Sequence, residues 1–165
     1  MVLNLLLNFV KKRIMEISFK VLKTSRNTLL KILENTSLEH LNTIPEGFSN
    51  NIIWNIGHIV VVQQMLVYKL SGLPMMVSDD MVERYKKGTR PEASVSAEEV
   101  AHIKDLLFPT IEQTERDYNA GVFKEYQEFT TMTGFHSQSA ADAITFNNFH
   151  EAVHTGIIMQ IKKFV

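Results

Sequence analysis

NIIWNIGHIVVVQQMLVYKLSG, residues 51–72, is the stretch whose reading decides the fold class. Ile52, Ile53, Ile56, Ile59, Val60, Met65 and Leu66 cover most of the circumference of a helix, so this segment is predicted to be the most buried one in the chain. Ser49 or Asn50 is placed to cap its start, because a short polar side chain there accepts from an otherwise unpaired backbone N–H. Ser71-Gly72, with Pro74 just beyond, supplies a stop signal. Gly57 leaves room for another element to approach closely, at a cost in helix propensity of ~1 kcal/mol.

Three further amphipathic segments flank this one. The first is predicted from about Glu16 to Asn35, with Phe19, Leu22, Leu29, Leu30 and Leu33 on one side and Lys and Arg on the other. A brief helical turn around Ser37, Leu38 and Leu41 precedes a loop at Pro45-Glu46-Gly47. Residues 73–95 form the longest connection, and connections of that length usually carry function or disorder. Asp79 to Lys87 reads as a short helix within it. Ser96 and Glu99 form a capping box that opens the next helix. Its apolar stripe is Val100, Ile103, Leu106, Leu107, Ile111 and Tyr118. Pro109 is expected to kink it, and Gly121 ends it. A polar stretch over 124–138 shows no strand pattern. The last helix is predicted from Ser139 to Lys163, with Ala143, Phe146, Phe149, Val153, Ile157, Ile158 and Ile161 as core contacts. The expected class is therefore all-α, with four helices packed as a bundle.

A chain of 165 residues, 45% of them hydrophobic, suffices for one domain with a packed core. Seventeen basic and 18 acidic residues give a net charge of -1, which argues against a broad nucleic-acid surface. The absence of Cys excludes disulfides, a thiolate nucleophile and a cysteine-type zinc site, and fits a reducing compartment, so a cytoplasmic location is expected. Val2 to Val10 is apolar apart from Asn4 and Asn8. Its charges follow the run, so it does not read as a secretory signal. It is far shorter than the ~20 residues that span a bilayer, so no membrane partner is expected. Residues 1–14 are read as an N-terminal extension outside the core, and 15–165 as the domain.

The chemistry lies in the histidines. His150 and His154 are four apart on the last helix, about 40° apart in projection and roughly 6 Å apart along the axis, so both rings can face one ion. The run His150-Glu151-Ala152-Val153-His154 matches the zinc-protease pattern H-E-x-x-H. Those enzymes take a third ligand downstream, whereas the 11 residues after His154 contain no His, Glu, Asp or Cys. A third ligand must come from earlier in the chain, and His58 is the best candidate. An unpaired imidazole in such apolar surroundings would be costly. His40 and His102 read as solvent-facing. His136, just before the last helix, is a candidate pocket residue.

The spacing Asn51-x-x-Trp54-x-x-x-His58-Ile59, together with His150-Glu151-x-x-His154-x-Gly156, resembles the DinB/YfiT-like superfamily of metal-binding four-helix proteins. The Ser71-Gly72 stop and Lys87-Gly88-Thr89-x-Pro91 in the long loop add to the likeness, which covers about residues 15–165. The resemblance implies a four-helix bundle with a long crossover between the second and third helices. It maps three histidine ligands onto His58, His150 and His154, with nickel or zinc as the ion. It also implies a homodimer. Ile157 departs from the pattern, since many members have Gln there.

Three neutral imidazoles leave an open position on the ion, the catalytic pattern rather than the closed structural one. Such an ion lowers the pKa of bound water and deprotonates a coordinated thiol. The expectation is a metal-dependent enzyme acting on a small molecule, either a hydrolase or a transferase using a low-molecular-weight thiol. The alternative is a non-catalytic metal-binding or stress-response module. Glu151 is the candidate general base. Asn51, Asn55 and Asn147 are candidates to hold the ligand rings, with Trp54 and the 73–95 loop as pocket neighbours.

Overall fold

The computed structural model describes residues 2–165 of the chain, which is all-α apart from one minimal hairpin. The helices are α1 (Val2–Glu34), α2 (Leu38–Asn42), α3 (Ile52–Val67), α4 (Asp79–Tyr85), α5 (Ala97–Asn119) and α6 (Ala140–Ile161). A single 3₁₀ turn, Lys69–Ser71, follows α3. Within the stretch expected to lack strands, β1 (Phe129–Thr130) pairs antiparallel with β2 (His136–Ser137). No helix among the described residues is long and apolar enough to cross a membrane.

Most helix boundaries follow from local chemistry. Ser78, Ser96 and Ser139 each accept from the backbone N–H three residues on, at the starts of α4, α5 and α6. The cap of α3 is Asn51, not Ser49 or Asn50: its Oδ1 accepts from Trp54 N at 2.9 Å. Gly72 takes φ 68°, the left-handed conformation that closes the turn after α3. Helix α5 runs unbroken through Pro109, which is exposed, so the carbonyl left without its partner lies on the solvent side. Helix α1 starts earlier than expected, at Val2. Its first buried described residue is Met15, whereas Leu6, Phe9, Val10 and Ile14 are exposed.

Helix α6 packs against both α1 and α3, each of which also packs against α5. Helix α4, midway along the connection from α3 to α5, lies on α3. Almost all of α3 is buried, Val62 and Met65 being partly open, as its apolar circumference demands. The expected core face of α6 needs correction. Phe149 and Val153 are exposed, while Ala140, Ile144, Asn147 and Glu151 are buried with Ala143, Ile158 and Ile161. Arg26 also departs from expectation. It falls on the apolar side of α1, between Leu22 and Leu29, and is fully buried.

Candidate metal centre

His58 enters from the middle of α3, and His150 and His154 from successive turns of α6, at the seam where these two helices pack. The ring centroids lie 5.2 Å (His58–His150), 4.6 Å (His58–His154) and 4.6 Å (His150–His154) apart. One nitrogen from each ring lies within 4.8 Å of the other two. A tetrahedral ion at ~2.0–2.1 Å from each nitrogen would set those nitrogens roughly 3.4 Å apart, inside the 4.8 Å limit that the cluster meets. His58 is buried and the other two are half-buried, so the cluster opens on the α6 side.

Hydrogen bonds decide which nitrogen is free on two of the three rings. His58 Nδ1 lies 2.6 Å from the Tyr85 carbonyl oxygen, which can only accept, so Nδ1 carries the proton and Nε2 keeps its lone pair. Asn55 donates through Nδ2 to Asn50 Oδ1 (2.9 Å) and to the Asn51 carbonyl (2.7 Å), which fixes the orientation of its amide. Its Oδ1 therefore faces His154 and accepts from Nδ1 at 2.8 Å. Thus Asn55 holds a ring across the helix interface rather than the one on its own helix. His150 Nδ1 is buried with no hydrogen-bond partner.

The rings are also kept uncharged. Burial lowers the pKa of His150 to about 3, with the neighbouring His154, His58 and Arg26 adding repulsion. Burial and His58 lower that of His154 to about 4. Burial lowers that of His58 as well, opposed by its bond to the Tyr85 carbonyl. Neutral imidazoles with converging lone pairs and their outer N–H groups tied to oxygen are what a metal needs. An orphaned buried nitrogen on the third ring fits the same requirement. The residues present therefore suit a divalent ion, with His58, His150 and His154 as the ligands that would hold it.

The other expected residues fall into distinct places. Trp54 stacks on His58 at 4.7 Å and 14°, and its Nε1 points to the Arg84 carbonyl and Thr89 Oγ1, both at 3.2 Å. Its indole also walls a cavity of about 500 Å³ formed with Asn51, Arg84, Tyr85, Thr89 and Arg90, a volume that includes none of the three histidines. Asn51 caps α3 and donates to the Asn42 carbonyl, so it shapes the helix start and holds no ring. Asn147 donates to Glu151 Oε1 at 2.8 Å and likewise holds no ring.

Two expectations are corrected. The Glu151 carboxylate is sealed from solvent against α1, where Arg26 Nε and Nη2 donate to it at 2.8–3.1 Å. A general base must reach the proton it takes, and a carboxylate held this way does not. Its place is that of an anchor between α1 and α6. His136 sits on the hairpin, exposed, with Nε2 3.2 Å from Glu128 and Nδ1 3.0 Å from Thr130 Oγ1, and does not join the cluster. Sequence reasoning missed Arg26 and Tyr85. Arg26 carried a legible signal, a cation at the Leu22/Leu29/Leu33 spacing. Tyr85 carried none, because it acts through its backbone carbonyl.

A three-histidine cluster at the seam of two packed helices, one ring buried and two half-buried, defines a candidate metal centre in an all-α protein. The chain belongs to the DinB superfamily, whose model matches residues 22–158. A comparison with curated proteins returned no match.

Proposed function

We propose that the chain is a metal-dependent enzyme acting on a small molecule through a divalent ion, nickel or zinc, held by His58, His150 and His154. In this reading α1, α3, α5 and α6 form a four-helix bundle, and the α3–α5 connection is its long crossover. The observation that carries the proposal is the tautomer pattern: two of the three rings have Nδ1 donating to oxygen, leaving Nε2 for an ion. Bound there, an ion with three neutral ligands supplies the Lewis acidity that ionises a thiol or a water near neutral pH.

Between the two reactions expected, thiol-dependent transfer is favoured over hydrolysis. Glu151, the one acid inside the ligand motif, is committed to Arg26. A coordinated thiolate carries no proton to lose on attack, whereas an attacking hydroxide still has one to shed as the hydrolysis product forms. The role left to the chain's own residues is to exclude water from the α3 side, where Trp54 covers His58, and to leave the α6 side open for the thiol and its acceptor. Cobalt-loaded protein titrated with glutathione or 2-mercaptoethanol is expected to develop the intense near-ultraviolet absorption of a sulfur–cobalt bond. Absence of that band, with cleavage of model esters by the zinc-loaded protein, would move the assignment to hydrolysis.

We also propose that the chain pairs with a second copy through the outer face of α1 and α6. Val10, Ile14, Ile17 and Val21 on α1, with Val153 and Met159 on α6, are each about half exposed, and Ala152 and Gly156 line the shallow groove between the helices. At ~25 cal/mol per Å², the ~1.5–3 kcal/mol for burying such a side chain corresponds to roughly 60–120 Å² each. Half of that over six residues gives on the order of 300 Å² of apolar surface, a substantial part of the apolar share of a standard ~800 Å² dimer face. Light scattering is expected to give twice the chain mass, and Val21→Asp to return the monomer mass. A wild-type monomer would refute the pairing.

A further inference from the structure

The capping box that opens α5 is only half formed in the expected way. Ser96 Oγ accepts from Glu99 N at 3.3 Å. The Glu99 carboxylate, which in a capping box turns back to the N-cap N–H, reaches instead to α4. There it accepts from the Tyr85 hydroxyl and from Arg84 Nη2, the latter at 2.7 Å. Tyr85 is 3% exposed and held on two more sides. Its ring lies against the bare backbone of Gly57, where an added Cβ would come within 2.6 Å of the ring carbons. Its carbonyl accepts the hydrogen bond from His58 Nδ1. Helix α4 spans only seven residues, too short to hold its shape without such contacts.

We propose that Glu99, Tyr85 and Gly57 form a latch that positions His58. The side chain of Tyr85 is pinned between Glu99 and Gly57 so that its main-chain carbonyl meets Nδ1 and aims Nε2 at the ion. The residues of the latch do not touch the ion; they act through the ring. The inference rests on the metal reading above for its effect on affinity, but its effect on the ring exists without metal.

The test uses the full chain and two measurements. Zinc affinity by chelator competition is expected to fall about tenfold in Tyr85→Phe, Glu99→Ala and Gly57→Ala, the lower end of what loss of an outer-shell partner costs. Glu99→Gln keeps an oxygen acceptor for the Tyr85 hydroxyl and is expected to restore near-wild-type affinity. Nitrogen-15 spectra of the metal-free protein should assign His58 as the Nδ1–H form in wild type and Glu99→Gln, and a mixture of tautomers in Glu99→Ala. Wild-type zinc affinity in Glu99→Ala and Tyr85→Phe, with the His58 tautomer unchanged, would overturn the latch. If wild type binds no zinc, the metal reading fails while the nitrogen spectra still decide the latch.

Discussion

Binding of one zinc or nickel ion is expected to raise the melting temperature of metal-free protein by roughly 8–16 °C when free metal stands about a thousandfold above its dissociation constant. The ligand adds about 4.1 kcal/mol at that ratio, and each kcal/mol moves a domain of this size by about 2–4 °C. His58→Ala should lose both the bound ion and the shift while remaining helical, since two rings on one helix are left to bind alone. The ligand assignment does not survive if the variant retains one tightly bound ion. Metal-free protein should also lose stability on acidification, and the sign follows from the lowered pKa values. Unfolded histidines take up protons near pH 6.5, whereas folded His154 and His150 resist until about pH 4 and about pH 3. Their contribution is therefore complete above about pH 6.5 and declines as the pH falls toward 4 and 3. Each ring contributes a slope of at most about 1.4 kcal/mol per pH unit, shared among neighbours that repel one another once charged. Melting temperature against pH, with chelator present, measures it.

Removing either member of the Arg26–Glu151 pair should cost about 3–5 kcal/mol, a fall of roughly 6–20 °C in melting temperature. Both side chains are 0% exposed, so the survivor would be a charge sealed in the interior without its counterpart. Arg26 has one further contact, a 3.4 Å bond to the Leu107 carbonyl, and Glu151 has Asn147. Neither replaces an opposite charge. Arg26→Met combined with Glu151→Leu should recover much of the loss, because a packed apolar pair needs no compensation. Glu151→Gln separates the anchor from the role suggested by the H-E-x-x-H match. As an anchor it destabilises the fold. As a general base it would leave the melting temperature in place and reduce turnover alone. Thermal denaturation of that variant beside wild type distinguishes the two, and an unchanged midpoint would restore the motif reading.

The helical class, the cap at Ser96, the start of the last helix near Ser139, and the stop at Gly72 were legible because each depends on neighbours within four residues. The candidate ligands were legible as well. His150 and His154 share a helix face by spacing, and His58 stands out as a polar ring amid apolar residues. The resemblance to the DinB/YfiT-like superfamily implies the same three.

Pairings across helices were not legible, and for one reason. Asn55 serves His154 rather than His58, and Glu151 faces Arg26 rather than the rings, because the rotation of each packed helix about its own axis assigns its neighbours. No local pattern encodes that rotation. The sequence separation of 125 between Arg26 and Glu151 carries no periodicity that would announce the bond. Tyr85 is the extreme case, since a backbone carbonyl exists at every position and only the folded connection from α3 to α5 places this one on His58. Short-range chemistry thus determined which helices form and which side chains could meet. Long-range packing alone decided which polar atom met which.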